Sequence, residues 1–374
     1  MIERIQTGVI AGYIHDRKVL VLSGARQVGK TTLVEQLLPQ LAKPLVSFNG
    51  DEADVRELFY NPTSAKLKKM IGGAKTLVID EAQRIENIGI VLKLIHDNIK
   101  DVKVIATGSS SFDLANKINE PLTGRKWEFQ ILPLSFEEMV NHYGLLEEKR
   151  LLEHRLLYGY YPEIVVNKGN EIKRLKELAD SYLFKDILIW ERILKPEKLE
   201  KLLQALALQI GQEVSYNELG QLTGLDNQTV ESYIQILEKA FIIFRLNAFN
   251  RNLRNELKKS RKIYFYDTGI RNVVINQFNP LSLRNDKGAL WENFLVAERM
   301  KFNLGRQRIV NRYFWRTHAQ QEIDYIEEHN AEISAFEMKW DERRQKKMPA
   351  SFVNAYNPVV TATITMQNFE DFIS

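Results

Sequence analysis

The chain has 374 residues, 44% of them hydrophobic and 27% charged, with a formal net charge of +4 and no cysteine. That length exceeds one ordinary core, so two or three domains are expected. The missing cysteines exclude disulfides, thiolate zinc sites and a cysteine nucleophile, and the six scattered histidines offer no metal-ligand spacing.

The small net charge decides nothing about nucleic acid, so local clusters carry that question. No apolar stretch approaches the ~18 residues that span a bilayer. Glu3, Arg4 and Asp16 interrupt the mildly apolar start, which therefore does not read as a secretory signal. The expected location is the cytoplasm, with no membrane partner.

Residues 19–22 form an apolar run of strand type. The loop after it carries Gly24, Ala25, Arg26, Gln27, Val28, Gly29, Lys30, Thr31 and Thr32, and leads into a helix-like segment. Two glycines let the backbone turn its N–H groups inward as a nest for an anion. The helix that follows adds the positive end of its dipole. Lys30 is placed to reach β- and γ-phosphates and the Thr31 hydroxyl to ligate Mg²⁺. The plainer alternative is a glycine-bearing turn before an amphipathic helix.

A second half of such a site is an acid at the end of another buried strand. Residues 76–79 are apolar, and Asp80-Glu81 follow them, with Asp80 lying 49 residues after Thr31. Asp80 is expected on the Mg²⁺ shell and Glu81 as the group that polarises the attacking water. The alternative is a solvated helix start. A third apolar run, 102–106, ends in Thr107-Gly108-Ser109-Ser110. Open parallel sheets bind ligands beyond the carboxyl ends of their strands, so Thr107 or Ser109 is a candidate sensor of the γ-phosphate. Either is equally a candidate helix cap. Gly124-Arg125 precedes a strand-like run at 127–132. Arg125 is a candidate for transition-state charge, at its own or a neighbour's nucleotide, or a surface arginine beside a turn.

The stretches "GARQVGKTT", "LVIDEAQ", "ATGSSS" and "LTGR" with "LPLSFEE" resemble AAA+ ATPases. More narrowly, they resemble the bacterial and archaeal group whose C-terminal domain is of unknown function and has a restriction-endonuclease-like core. The resemblance covers nearly the whole chain. It implies that Arg26, Gln27 and Gln83 also belong to the nucleotide site. Ala25 stands where many relatives carry proline, a departure of little consequence. The group is loosely similar to signalling ATPases that act as switches, which favours nucleotide binding over rapid turnover.

Residues 135–195 read as helices, with Leu175, Leu178, Tyr182, Leu183, Ile187 and Trp190 at helical intervals. In an AAA+ chain this is the lid region. A break follows at Lys195-Pro196. Residues 215–222 then read as a helix, 223–226 as a turn and 227–239 as a second helix with apolar Val230, Tyr233, Ile234 and Leu237. A strand from 241 starts a wing. Such a helix-turn-helix puts its second helix in the DNA major groove, or else packs between domains. The exposed face is polar and not basic. The run at 251–262 offers Arg251, Arg254, Lys258, Lys259, Arg261 and Lys262 as phosphate contacts, or as a solvated loop. Asp267 and Gly269 sit where the resembling family has an Asp-x-Gly turn, read as structural.

The last region gathers Glu292 near a helix start, Asp324 in a strand, and Glu337 and Lys339 on one face of the next strand. That order of acids and lysine is the arrangement of restriction-endonuclease-like nucleases, in which carboxylates hold Mg²⁺ and the lysine orients water. Glu322 flanks the set, and "RRQKK" at 343–347 adds positive charge. Acids and lysines on a sheet face are also common without chemistry.

The expected fold is α/β. An AAA+ P-loop ATPase core with a parallel sheet spans 1–134, a helical lid 135–197, a winged-helix-like module 198–275 and a restriction-endonuclease-like domain 276–374. The expected activity is ATP binding and hydrolysis with Mg²⁺, acting on DNA, branched or broken DNA included. One rival is a nucleotide-gated switch for a protein partner, with a non-cutting C-terminal domain. Another is an ATP-gated defence nuclease. Homo-oligomer formation enters only through Arg125.

Overall fold

The computed structural model of the chain describes residues 1–109, 122–181, 195–250, 260–344 and 347–374. Met1–Pro133 carries one compact unit, and most of the second is built from residues after Leu134. Among the described residues, no helix is long and apolar enough to cross a membrane.

The first unit is built on five parallel strands, β1 (Val19–Gly24), β2 (Leu45–Asn49), β3 (Thr76–Asp80), β4 (Lys103–Gly108) and β5 (Lys126–Ile131), in the order β2-β3-β4-β1-β5. All six positions of β1 are buried. A near-continuous apolar run is what a parallel strand needs when both faces are covered. The helix Ile88–Asn98 turns Ile88, Val91, Leu92 and Ile95 into the core at helical spacing. There they join Val19, Val21, Leu77, Ile79 and Ala106. Because the strands are parallel, the carboxyl ends of β1, β4 and β3 stand side by side. β4 lies in the middle, so Thr107 stands between the loop after β1 and the acids after β3.

The second unit is built on seven strands. They are β6 (Glu213–Val214), β7 (Ile243–Ala248), β8 (Arg261–Phe265), β9 (Asn311–Arg316), β10 (Glu322–His329), β11 (Glu332–Met338) and β12 (Val360–Ile364), ordered β12-β11-β10-β9-β7-β8-β6. Parallel pairing of Asn247 with Tyr313 and Ala248 with Phe314 joins β7 to β9. Strands from 198–275 and from 276–374 therefore share one sheet. The helices Tyr216–Thr223 and Asn227–Lys239 precede the β7–β8 hairpin. Ser215 caps the first, and Gly224 ends it in the left-handed region at φ 66°. Val230, Tyr233, Ile234 and Leu237 of the second are buried.

Residues 135–181 and 195–197, the described parts of the 135–197 region read from sequence as a lid, fold within this second unit. The Phe136 amide donates to Glu298 at 2.7 Å, Lys301 donates to the Leu134 carbonyl at 2.9 Å, and the Tyr160 amide donates to Asp267 at 2.7 Å. Tyr182, Leu183, Ile187 and Trp190 lie outside the described residues. Buried Glu148 accepts from the Arg155 guanidinium at 2.7 and 3.0 Å and from the Tyr160 hydroxyl at 2.9 Å. Asp267 also caps the helix Thr268–Val274. A Cβ at Gly159 would stand 2.0 Å from its carboxylate, so the Asp-x-Gly turn is a packing device.

Candidate functional site

The loop between β1 and the helix Lys30–Leu37 is shaped by its glycines. Gly29 takes φ 89° at the helix N-cap. A Cβ on Gly24 would stand 2.0 Å from the Ile131 carbonyl, so only glycine lets β5 approach there. Ala25 and Val28 are fully buried, and Gln27 lies at φ 60°. Lys30 is 5% exposed and donates to the carbonyls of Gly24 at 3.0 Å and Ala25 at 2.8 Å. Burial pulls its ammonium down to about 8, against the opposing pull of Glu81 and Asp80.

Asp80 is the hub. Its carboxylate accepts from the Thr31 hydroxyl at 3.0 Å on one oxygen and from the Thr107 hydroxyl on the other. The Glu81 amide donates to Asp80 at 3.1 Å. Glu81 itself takes φ 47°, ψ 40°, so the left-handed backbone turns the chain sharply where the acid leaves the sheet. Gly50 lies against this peptide: its amide donates to the Asp80 carbonyl at 2.8 Å, and a Cβ there would stand 2.3 Å from the Glu81 carbonyl. Gln83, 4% exposed, donates to the Glu81 carboxylate and accepts from the Ser109 amide at 3.2 Å. Thr31, Asp80, Glu81, Gln83, Thr107 and Ser109 thus meet at the carboxyl ends of three strands. Thr32 lies one residue further along the helix, partly exposed. Ser110 lies outside the described residues.

Arg125 requires a correction. Its carbonyl accepts from the Val19 amide at 2.9 Å, beside the first residues of β1 and β5. The loop leaves the other end of β1, about 17 Å away at ~3.3 Å per residue. Arg125 therefore does not serve its own chain's site. Its Nε donates to Asp97 at 2.8 Å, and that hydrogen bond, with His96, holds the Asp97 carboxyl down to about 2.

Sequence reasoning missed Arg4. It is 5% exposed and donates to the Val28 carbonyl and the Leu132 carbonyl, both at 2.7 Å, tying the loop to β5 from behind. Partners 24 and 128 residues away leave no local pattern.

A second cluster lies in the second unit. Lys339 stands 2.9 Å from Asp324 and 2.7 Å from Glu337, and the Met338 amide donates to Asp324 at 2.8 Å. Glu292 accepts from the Tyr264 hydroxyl at 2.6 Å and from Lys262 at 3.0 Å. Lys262 also stands 2.6 Å from Glu322. Burial raises the Glu292 carboxyl to about 7; Lys262 opposes the shift and Asp324 adds to it. Burial alone would lower the Lys262 ammonium, but Glu292, Asp324 and Glu322 hold it above the ordinary lysine range. Glu292 and Lys339 open onto a cleft of about 940 Å³ lined also by Lys287, Gly288, Trp340 and Arg343. Of the four residues singled out from sequence, Asp324, Glu337 and Lys339 meet one another, while Glu292 is held by Lys262 and Tyr264 and shares the cleft with Lys339. Among the described residues, no group of three or more His, Asp or Glu stands so as to hold a metal ion.

Lys262 is a second correction. Expected at a DNA phosphate, it is 1% exposed. Successive strand residues face opposite ways, and Lys262 is the inward one. Its neighbour Arg261 stacks over Tyr216, 4.4 Å from the ring centroid. Arg251, Arg254, Lys258 and Lys259 lie outside the described residues.

Residues 16–140 match the model of an AAA domain. Residues 149–281 and 287–371 match two domains of unknown function, DUF8612 and DUF4143. An uncharacterized protein of Methanocaldococcus jannaschii is 26% identical over 302 residues, covering 75% of this chain and 66% of that protein, just under two thirds of its own length. One of Mycobacterium tuberculosis is 27% identical over 330 residues, covering 87% of this chain and 71% of that protein. Among solved structures, a signal transduction ATPase with numerous domains from Pyrococcus horikoshii shares 14% identity at TM-score 0.29, over 82% of this chain and 48% of that one. The Thermotoga maritima RuvB branch migration motor shares 14% at TM-score 0.30, over 69% of this chain and 95% of that one. The first unit is an AAA-type P-loop domain, the kind found in nucleotide-binding ATPases.

Proposed function

We propose that the first unit binds and hydrolyses ATP with Mg²⁺, and that the second unit acts on DNA, branched or broken DNA included. The hydrogen-bonded chain Thr31–Asp80–Thr107, beside Glu81–Gln83–Ser109, carries the first half. A hydroxyl and a carboxylate 3.0 Å apart are the hard oxygen donors that Mg²⁺ takes. When bound, the ion would neutralise phosphate charge. Thr31 and Asp80 would hold it, and Lys30 would exchange two carbonyls for phosphate oxygens. Glu81, fixed by Gln83, would orient the attacking water, and Thr107 would report the γ-phosphate to Asp80.

The DNA half is supported by Glu292 and Lys339 lining one cleft, with Asp324 and Glu337 buried behind Lys339, read as a restriction-endonuclease-like site. It is also supported by the helix pair and hairpin of residues 215–265, read as a winged helix. A second reading is a nucleotide-gated switch that binds a protein partner and cuts nothing. Lys262, which already stands on Glu292 and on the flanking Glu322, favours it.

ATP turnover measured with and without single-stranded, duplex and branched DNA separates them. Stimulation by any of the three is expected. Slow hydrolysis indifferent to all of them, with tight nucleotide retention, would move the function to the switch. No turnover, and no effect of Mg-ATP on melting, would end both readings. Arg125 is kept only for a neighbour's nucleotide. Mixing Arg125→Ala with Lys30→Ala protein would then restore some activity at a mixed interface, and a fully active monomer excludes it.

A further inference from the structure

We propose that Lys262 is the resident cation of the carboxylate cluster in the second unit and keeps divalent metal ions out of it. The proposal rests on reading Glu292, Asp324, Glu337 and Lys339 as a nuclease-like site, and names what that site must lose before it takes a metal.

Four carboxylates share this region, and two ammonium groups serve all four. Lys339 stands 2.9 Å from Asp324 and 2.7 Å from Glu337; Lys262 stands 3.0 Å from Glu292 and 2.6 Å from Glu322. The Tyr264 hydroxyl takes the same Glu292 oxygen at 2.6 Å. A divalent ion needs several oxygens converging on one point at about 2.0–2.6 Å. Here the oxygens converge on nitrogen. A dication entering among them would meet two ammonium groups in a poorly solvated space, where like charges repel strongly.

Lys262 differs from Lys339 in how it is held. Lys339 directly follows β11, the strand that carries Glu337, and lines the open cleft, with its side chain 25% exposed. Lys262 is 1% exposed and comes from the hairpin. Its strand is paired on both sides, with Leu246 of β7 opposite Lys262 on one edge and Glu213 of β6 on the other. The Phe314 ring lies 5.4 Å from its ammonium. The backbone that carries the amine is therefore fixed on both edges, and at 1% exposure the amine has almost no open solvent to withdraw into. An exposed lysine could be displaced by a metal ion; this one is built into the sheet.

The test uses the full chain without nucleotide and reads free Mn²⁺ by electron paramagnetic resonance. Asp80→Asn silences the hydroxyl–carboxylate pair of the first unit in every sample. With Lys262 intact, no stoichiometric Mn²⁺ uptake is expected. Lys262→Met in that background should gain one ion per chain, and adding Asp324→Asn should remove it. If the protein with Lys262 intact already takes up an ion that Asp324→Asn abolishes, the proposal is overturned. It is equally overturned if Lys262→Met melts cooperatively and gains no ion. Should that variant fail to fold, Lys262→Gln in the same background takes its place, with the same two outcomes. DNA cutting plays no part in the readout. A protein that never cuts DNA would defeat the DNA reading and leave this result standing, whereas a cutting protein with the reversed Mn²⁺ pattern would defeat only this inference.

Discussion

The two clusters hold charge in opposite ways. In the first unit, Lys30 rests on two carbonyls, Asp80 on two hydroxyls, and Glu81 on a carboxamide. In the second, Glu292, Glu322, Asp324 and Glu337 each meet an ammonium group. Neutral dipoles can be exchanged for a charged ligand with little loss, because the ligand supplies the stronger partner. Buried ion pairs cannot, because opening one strands a charge in low dielectric. The first arrangement is poised for a ligand, and the second is satisfied by its own chain.

The sharpest test of the first arrangement is Glu81→Gln. It should slow hydrolysis by ~100-fold or more, the range for loss of a general base, while Mg-ATP still raises the melting temperature. Hydrolysis at the wild-type rate would remove Glu81 from its role. The second kind of arrangement is tested where it is most buried. Arg155→Met leaves Glu148 without its cation and should cost about 3–5 kcal/mol, read by denaturant unfolding, with nucleotide affinity unchanged. A loss under ~1 kcal/mol would put this pair among surface pairs.

Lys30→Ala comes next. Mg-ATP at ~100 times its dissociation constant should stabilise the wild type by ~2.7 kcal/mol and the variant not at all. A wild-type melting point unmoved by saturating Mg-ATP would break the comparison at its base. The smallest effect belongs to Asp97→Asn, in an exposed pair. The Asp97 carboxyl is depressed to about 2. Its contribution is therefore present above the unfolded value near 4 and is lost as pH falls through about 2. Exposure limits it to under ~1 kcal/mol, and salt should shrink it. A difference between wild type and variant that grows on acidification would contradict the assignment.

The first site was legible because its signals are local. Glycine spacing, an apolar run and the residue after it define Lys30, Thr31, Asp80 and Thr107 within short windows. Gln83 was reached only through resemblance. For Arg125, only the reading at its own chain's nucleotide falls, since a residue that precedes a parallel strand stands at the end away from the ligand. Lys262 was hidden because a basic run looks uniform in sequence, while strand alternation turns neighbouring side chains to opposite faces. Its partner Glu292 lies 30 residues on. The β7–β9 pairing that merges the last two regions into one sheet links positions more than sixty residues apart, as Asn247 with Tyr313, and no periodicity announces it.

Gly50 has a bearing on how finely this AAA domain could be graded. It carries no functional group and belongs to no motif, yet a single added methyl would stand 2.3 Å from the carbonyl of Glu81. Something must shift, and the nearest backbone is the left-handed peptide that carries the acid. Gly50→Ala would act as a mechanical attenuator, altering aim without altering charge. Turnover should fall while Mg-ATP binding persists, and the loss should be smaller than in Glu81→Gln. Equal turnover in Gly50→Ala and wild type would mean that the peptide yields without carrying the carboxylate along. Partial-activity forms of such a domain would then be sought in the packing behind the acid as well as in the residues that meet the nucleotide.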